Sequence, residues 1–120
     1  MISTKQESSL LKIADLNDGW GIDGAGKRFK PIIIRNTRFL LTVFKDPTID
    51  IVPIPDGKSI VLVIHKPIDS LMFNFPEEAK AIVVNVYSTK FTIDVLDGNC
   101  NVVYQEDYNM KQFVNTYILS

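Results

Sequence analysis

The chain has 120 residues, 46% of them hydrophobic and 22% charged, which is the balance of one ordinary globular domain with a core of its own. Thirteen basic residues stand against fourteen acidic ones, for a net charge of -1. That balance excludes the basic stripe of a duplex nucleic-acid binder and gives no pull toward an anionic membrane surface. Cys100 is the single cysteine, so an internal disulfide and a cysteine-based zinc site are excluded. The polar start of the chain and the absence of any run of about 18 to 20 apolar residues make the cytoplasm the expected compartment.

Taken in chain order, Ser3 to Leu16 predicts a helix. Thr4 and Glu7 have the spacing of a capping box, and Leu10, Leu11, Ile13, Ala14 and Leu16 form an apolar stripe. Asn17-Asp18-Gly19 ends it. A glycine-rich loop runs to Lys30, with Trp20 as the only tryptophan. A second helix is expected from Pro31, because proline suits a helix's first turn. Ile33 or Ile34, with Thr37, Leu40, Leu41 and Phe44, would line its buried side, and Asp46-Pro47 would stop it.

Beyond Pro47 the apolar period changes. Ile49, Ile51 and Ile54 lead into Pro55-Asp56-Gly57-Lys58, a turn in which proline presets φ and glycine supplies a positive φ. Ser59 to His65 closes the hairpin. Further strands are expected at Ser70 to Phe75, Ala81 to Tyr87, Phe91 to Leu96 and Asn101 to Gln105, with Asp97-Gly98 as a hairpin turn. Tyr108 to Leu119 predicts a short C-terminal helix. The fold class is therefore α+β: two N-terminal helices, an antiparallel meander of five or six strands, and a final helix. Val61 and Val63 are as apolar as Ile60, Leu62 and Ile64, so the central strands are expected to be covered on both faces, one by helices and the other by the sheet curling on itself, by the C-terminal helix or by another chain.

Gly21-Ile22-Asp23-Gly24-Ala25-Gly26-Lys27 matches the spacing of a phosphate-binding loop. Arg28 occupies the place where a serine or threonine would hold magnesium, and the loop follows a helix instead of a strand. The lone histidine, His65, ends a strand and offers neither a metal set nor a triad. Glu77-Glu78 and Glu106-Asp107 are read as solvated turn residues. No catalytic residue, metal ligand or cofactor is expected. Lys27, Arg28 and Lys30, extended by Arg35 and Arg38, form a small basic cluster. Trp20 is read as a plug between helices and sheet, or as a binding anchor, since tryptophan is enriched at interface hot spots.

The order of parts resembles a family of small bacterial and phage proteins in which a leucine-rich helix leads to a "GWDGxGA" loop. Here that stretch is Asp18-Gly19-Trp20-Gly21-Ile22-Asp23-Gly24-Ala25-Gly26, with Gly21 and Ile22 standing between the tryptophan and the aspartate. A proline-started helix with Phe39-Leu40 follows, then the Val52-Pro53-Ile54-Pro55-Asp56-Gly57 hairpin, so the resemblance covers residues 10 to 65. It implies a mobile-element or phage setting and no particular activity. The expected function is a non-enzymatic protein-binding module, inhibitor-like or antitoxin-like, with Trp20, Asp23, Arg28 and Arg35 as binding residues. The alternatives are a nucleotide or phosphate binder using the Gly21 to Lys27 loop, and a self-assembling structural subunit. The expected partner is another protein, or a second copy in a homodimer; neither a membrane nor nucleic acid is expected.

Overall fold

A computed structural model describes residues 2–21, 23–65 and 79–119. The expected strand at Ser70 to Phe75 and the Glu77-Glu78 pair lie outside the described residues. Three helices and five strands follow one another as α1 (Thr4–Ala14), α2 (Pro31–Phe44), β1 (Asp50–Pro53), β2 (Ile60–Ile64), β3 (Ala81–Val86), β4 (Lys90–Leu96), β5 (Val102–Asn109) and α3 (Met110–Leu119). The strands form one antiparallel sheet in the order β1-β2-β3-β4-β5. The α+β meander with a closing helix is thus the architecture expected from the chain. Among the described residues no helix is long and apolar enough to cross a membrane.

The capping box of α1 sits one residue earlier than Thr4 and Glu7. Ser3 Oγ accepts from the Gln6 amide at 3.1 Å, and Gln6 Oε1 accepts from the Ser3 amide at 3.1 Å. Both frames fit the motif, and tertiary structure chooses between them. Gln6 is buried and its Nε2 donates to Asp46 O at 2.8 Å, which ties the start of α1 to the segment after α2. Glu7 is thereby left to pair with Arg38 of α2, Nη2 to Oε1 at 2.5 Å. Lys45 ends α2 in the left-handed region at φ 55° and donates its amide to Leu41 O.

Strand register gathers the apolar side chains into three rows on one face of the sheet. The rows are Ile60–Val86–Phe91, Leu62–Val84–Ile93 and Ile64–Ile82–Val95, and all nine residues are buried. Leu10 and Ile13 of α1, the expected face of α2, and Met110 and Phe113 of α3 join this core. Fully burying each large aliphatic side chain contributes about 1.5–3 kcal/mol against solvent exposure, so these rows dominate the stability. Phe91 anchors one end: Tyr108 stacks on it at 4.9 Å and Phe113 meets it edge-on at 4.9 Å.

Three expectations are corrected here. Tyr108 belongs to β5, not to the last helix, and Asn109 starts α3 directly by accepting from the Gln112 amide at 3.0 Å. The stack on Phe91 holds Tyr108 in the strand. Glu106 and Asp107 accordingly lie on β5 and not in a turn. The sheet is also less evenly covered than its composition suggests. Residues of β2 to β4 alternate between buried and half-buried, and α3 packs on the same face as α2 through Phe113 and Phe39. Val61, Val63 and Val83 of the opposite face are half-buried.

Candidate functional site

The glycine-rich loop closes on itself. Trp20 and Gly26 form a two-residue bridge, in which Gly26 N donates to Trp20 O at 2.8 Å and Gly19 N donates to Gly26 O at 2.7 Å. The indole Nε1 donates to Lys27 O at 2.6 Å, and the ring packs 6.0 Å from Phe29, centroid to centroid. Gly26 has to be glycine, because a Cβ there would lie 2.3 Å from Trp20 O and 2.4 Å from the indole ring. The Pro55 to Lys58 turn braces the loop from the other side. Lys27 N donates to Pro55 O at 2.8 Å, and Gly57, at φ +71°, approaches so closely that a Cβ would meet Lys27 Cβ at 2.8 Å.

A phosphate-binding loop works by turning a row of free amides toward the ligand. Here the amides from Gly24 to Arg28 are engaged inside the protein. Gly24 N donates to Gly21 O, Ala25 N to Asp23 Oδ1, Gly26 N to Trp20 O, Lys27 N to Pro55 O and Arg28 N to Asp18 Oδ1. The segment from Lys27 to Lys30 is extended before α2 begins, so no helix N-terminus adjoins the loop. Resemblance to a phosphate loop is one of spacing alone.

The four expected binding residues fall into two places. Trp20 is half-buried as part of its own loop, and Asp23 is exposed and caps the Ala25 amide. Arg28 is exposed on the same loop. Arg35 stands apart, on the exposed side of α2. Arg38, expected to extend the basic cluster, is committed to Glu7 in an ion pair. His65 is exposed and meets Asp50 Oδ2 at 2.9 Å, and Cys100 is exposed in the β4–β5 turn at φ 63°. Among the described residues no three of histidine, cysteine, aspartate and glutamate gather where a metal could be held.

Arg35 lines a groove of about 600 Å³ between α2 and α3. Ile32 and Phe39 contribute from α2, Met110 and Val114 from α3, and Ser88 and Thr89 from the β3–β4 turn. Lys111 of α3 also lines the groove, a second cation beside Arg35 of α2. Ile32 is 37% exposed, which is high for so apolar a side chain beside a core. The floor is rigid. Asn36 is buried, and its Nδ2 donates to Tyr87 O at 2.9 Å and Ser88 O at 3.0 Å, locking α2 to the β3–β4 turn. Phe39 is held edge-on between Phe113 and Tyr117 at 6.3 and 5.5 Å.

Sequence reasoning missed this groove because its parts are about 75 residues apart in the chain. A signal was present in Ile32, Arg35 and Phe39, whose spacing places all three on one helical stripe beside the buried one. No protein-family model, curated protein or solved structure matches the chain.

Proposed function

We propose that this chain is a non-enzymatic protein-binding module that uses the α2–α3 groove to hold a short amphipathic helix with an acidic flank. The observation that carries the reading is an apolar floor of Ile32, Phe39, Met110 and Val114 between two cations, Arg35 and Lys111. A helix laid in such a groove buries its apolar anchors at i, i+3 or i+4 and meets the rim with carboxylates. Preorganisation supports the reading: Asn36 and the Phe39–Phe113–Tyr117 contacts fix the walls before any ligand arrives, which lowers the ordering cost of binding. An inhibitor-like or antitoxin-like role, the setting implied by the family resemblance, fits a module whose action is to occupy a partner's segment.

The test is charge reversal on the rim. Arg35→Glu combined with Lys111→Glu is expected to weaken partner binding roughly tenfold or more and leave the melting temperature close to wild type, since both side chains are exposed. Wild-type affinity is expected to fall with added salt. An affinity unaltered by the double reversal, or unaltered by salt, would exclude the groove as the recognition surface.

A further inference from the structure

We propose that the edge of β5, which among the described residues is paired with β4 alone, pairs antiparallel with β5 of a second copy, joining two five-stranded sheets into one across a two-fold axis at Gln105. The inference stands on strand geometry and is independent of the α2–α3 groove.

The two edges of the sheet are built differently. β1 has four residues and ends on Pro53, which has no amide to offer a neighbouring strand. β5 has eight residues, Val102–Asn109, with neither proline nor lysine among them. Its outward backbone groups follow from its pairing with β4. Met110 N donates to Thr89 O, and the register Phe91↔Tyr108, Ile93↔Glu106, Val95↔Tyr104 continues that hydrogen-bonded set. Tyr104, Glu106 and Tyr108 therefore turn their amides and carbonyls toward β4. Gln105 and Asp107 turn theirs away, and among the described residues no hydrogen bond engages those outward groups. The strand also exposes Val102 at 56% and Val103 at 36%.

Charge and the bulge in β5 together select the register: a pivot at Tyr104 brings no like charges together but puts Val103, which the pairing with β4 skips, into the central pair. Antiparallel pairing of outward-facing residues with a pivot between Gln105 and Asp107 places Glu106 against Glu106, and a pivot at Asp107 places Asp107 against Asp107; like charges directly opposite are destabilising. A pivot at Gln105 avoids both. It sets Gln105 opposite Gln105 and Tyr104 opposite Glu106 of the second copy, with the irregularity at Val103 at the end of the paired stretch. The Tyr104–Glu106 pairing is one the strand already makes within itself, where the Tyr104 hydroxyl donates to Glu106. In the pair each Tyr104 hydroxyl donates its single proton to Glu106 of the second copy in place of its own. The two Glu106 side chains then lie diagonal to each other, roughly 7–8 Å apart, so their repulsion is screened by salt.

Sedimentation equilibrium of the full chain over a wide concentration range tests the proposal. A monomer–dimer equilibrium is expected, with association strengthened by added salt. Gln105→Lys, which sets two ammonium groups opposite each other, and Gln105→Pro, which removes an outward amide without touching the β4 ladder, are each expected to raise the dissociation constant at least tenfold while the circular dichroism spectrum is retained. In a Cys100→Ser background, Gln105→Cys is expected to give an oxidised covalent dimer and Asp107→Cys is not. A chain that is monomeric at every concentration overturns the proposal. So does a dimer indifferent to Gln105→Lys, or one cross-linked better from Asp107→Cys.

Discussion

Side chains that look chemical in this protein mostly hold backbone. Trp20 donates to Lys27 O, Asp23 caps Ala25, Asp18 caps Arg28, and buried Gln6 and Asn36 each donate to two carbonyls of remote segments. A buried amide of this kind contributes less by the bonds it makes than by the orphaned carbonyls its removal would leave, about 1–3 kcal/mol. Gly26 gives the sharpest case. Gly26→Ala would drive a methyl into the Trp20 carbonyl and indole, and the loop cannot yield because Gly19, Lys27 and Pro55 pin it. Thermal unfolding of that variant is expected to show a loss of roughly 2–4 kcal/mol, in the range of overpacking that the surroundings cannot relax. A parallel loss of the Trp20 fluorescence signature would locate the damage in the loop.

At the scale of elements, the helices and strands were legible because each has a period and a punctuation. The α2 stripe, the Pro31 start, the Pro55-Asp56-Gly57 turn and the Asp97-Gly98 turn all appear where residue chemistry placed them. Boundaries were legible only where one local solution existed. Ser3–Gln6 and Thr4–Glu7 both satisfy a capping box, and burial of Gln6 against Asp46 decides between them. Tyr108 suits helix and strand alike, and the Phe91 stack decides for the strand. The groove was not legible, because it is made by the distance between two helices and not by either one. The end of β5, where Tyr108 stacks on Phe91, has a pH signature. Burial first, and Glu106 second, raise the Tyr108 phenol above its ordinary value near 10. A raised acid holds its proton more tightly in the folded state, so this stability is fully present below about pH 10 and declines as pH rises through that value. Denaturant midpoints are expected to fall between about pH 9 and pH 11, and to fall less in Tyr108→Phe, which keeps the ring stack and removes the ionisation. An equal fall in the variant would place the alkaline sensitivity elsewhere.

For the molecule as a whole, one sheet face carries the core and the three helices, and the features turned outward are a groove and an edge. The groove joins Arg35 of α2 to Lys111 of α3 over an apolar floor, and the edge is the long strand β5. They make opposite demands on salt: occupation of the groove by an acidic helix weakens as charges are screened, and pairing at β5 strengthens. A salt series on one sample therefore separates them. Recognition at the groove is tested most directly by a photo-crosslinking residue placed at Ile32, on the groove, and in a separate protein at Val52, which is 42% exposed on β1. The expected result is a cross-linked partner from Ile32 alone, with the attached segment showing apolar residues at helical spacing beside aspartate or glutamate. Equal capture from Val52, or an attached segment that is basic or extended, would contradict it.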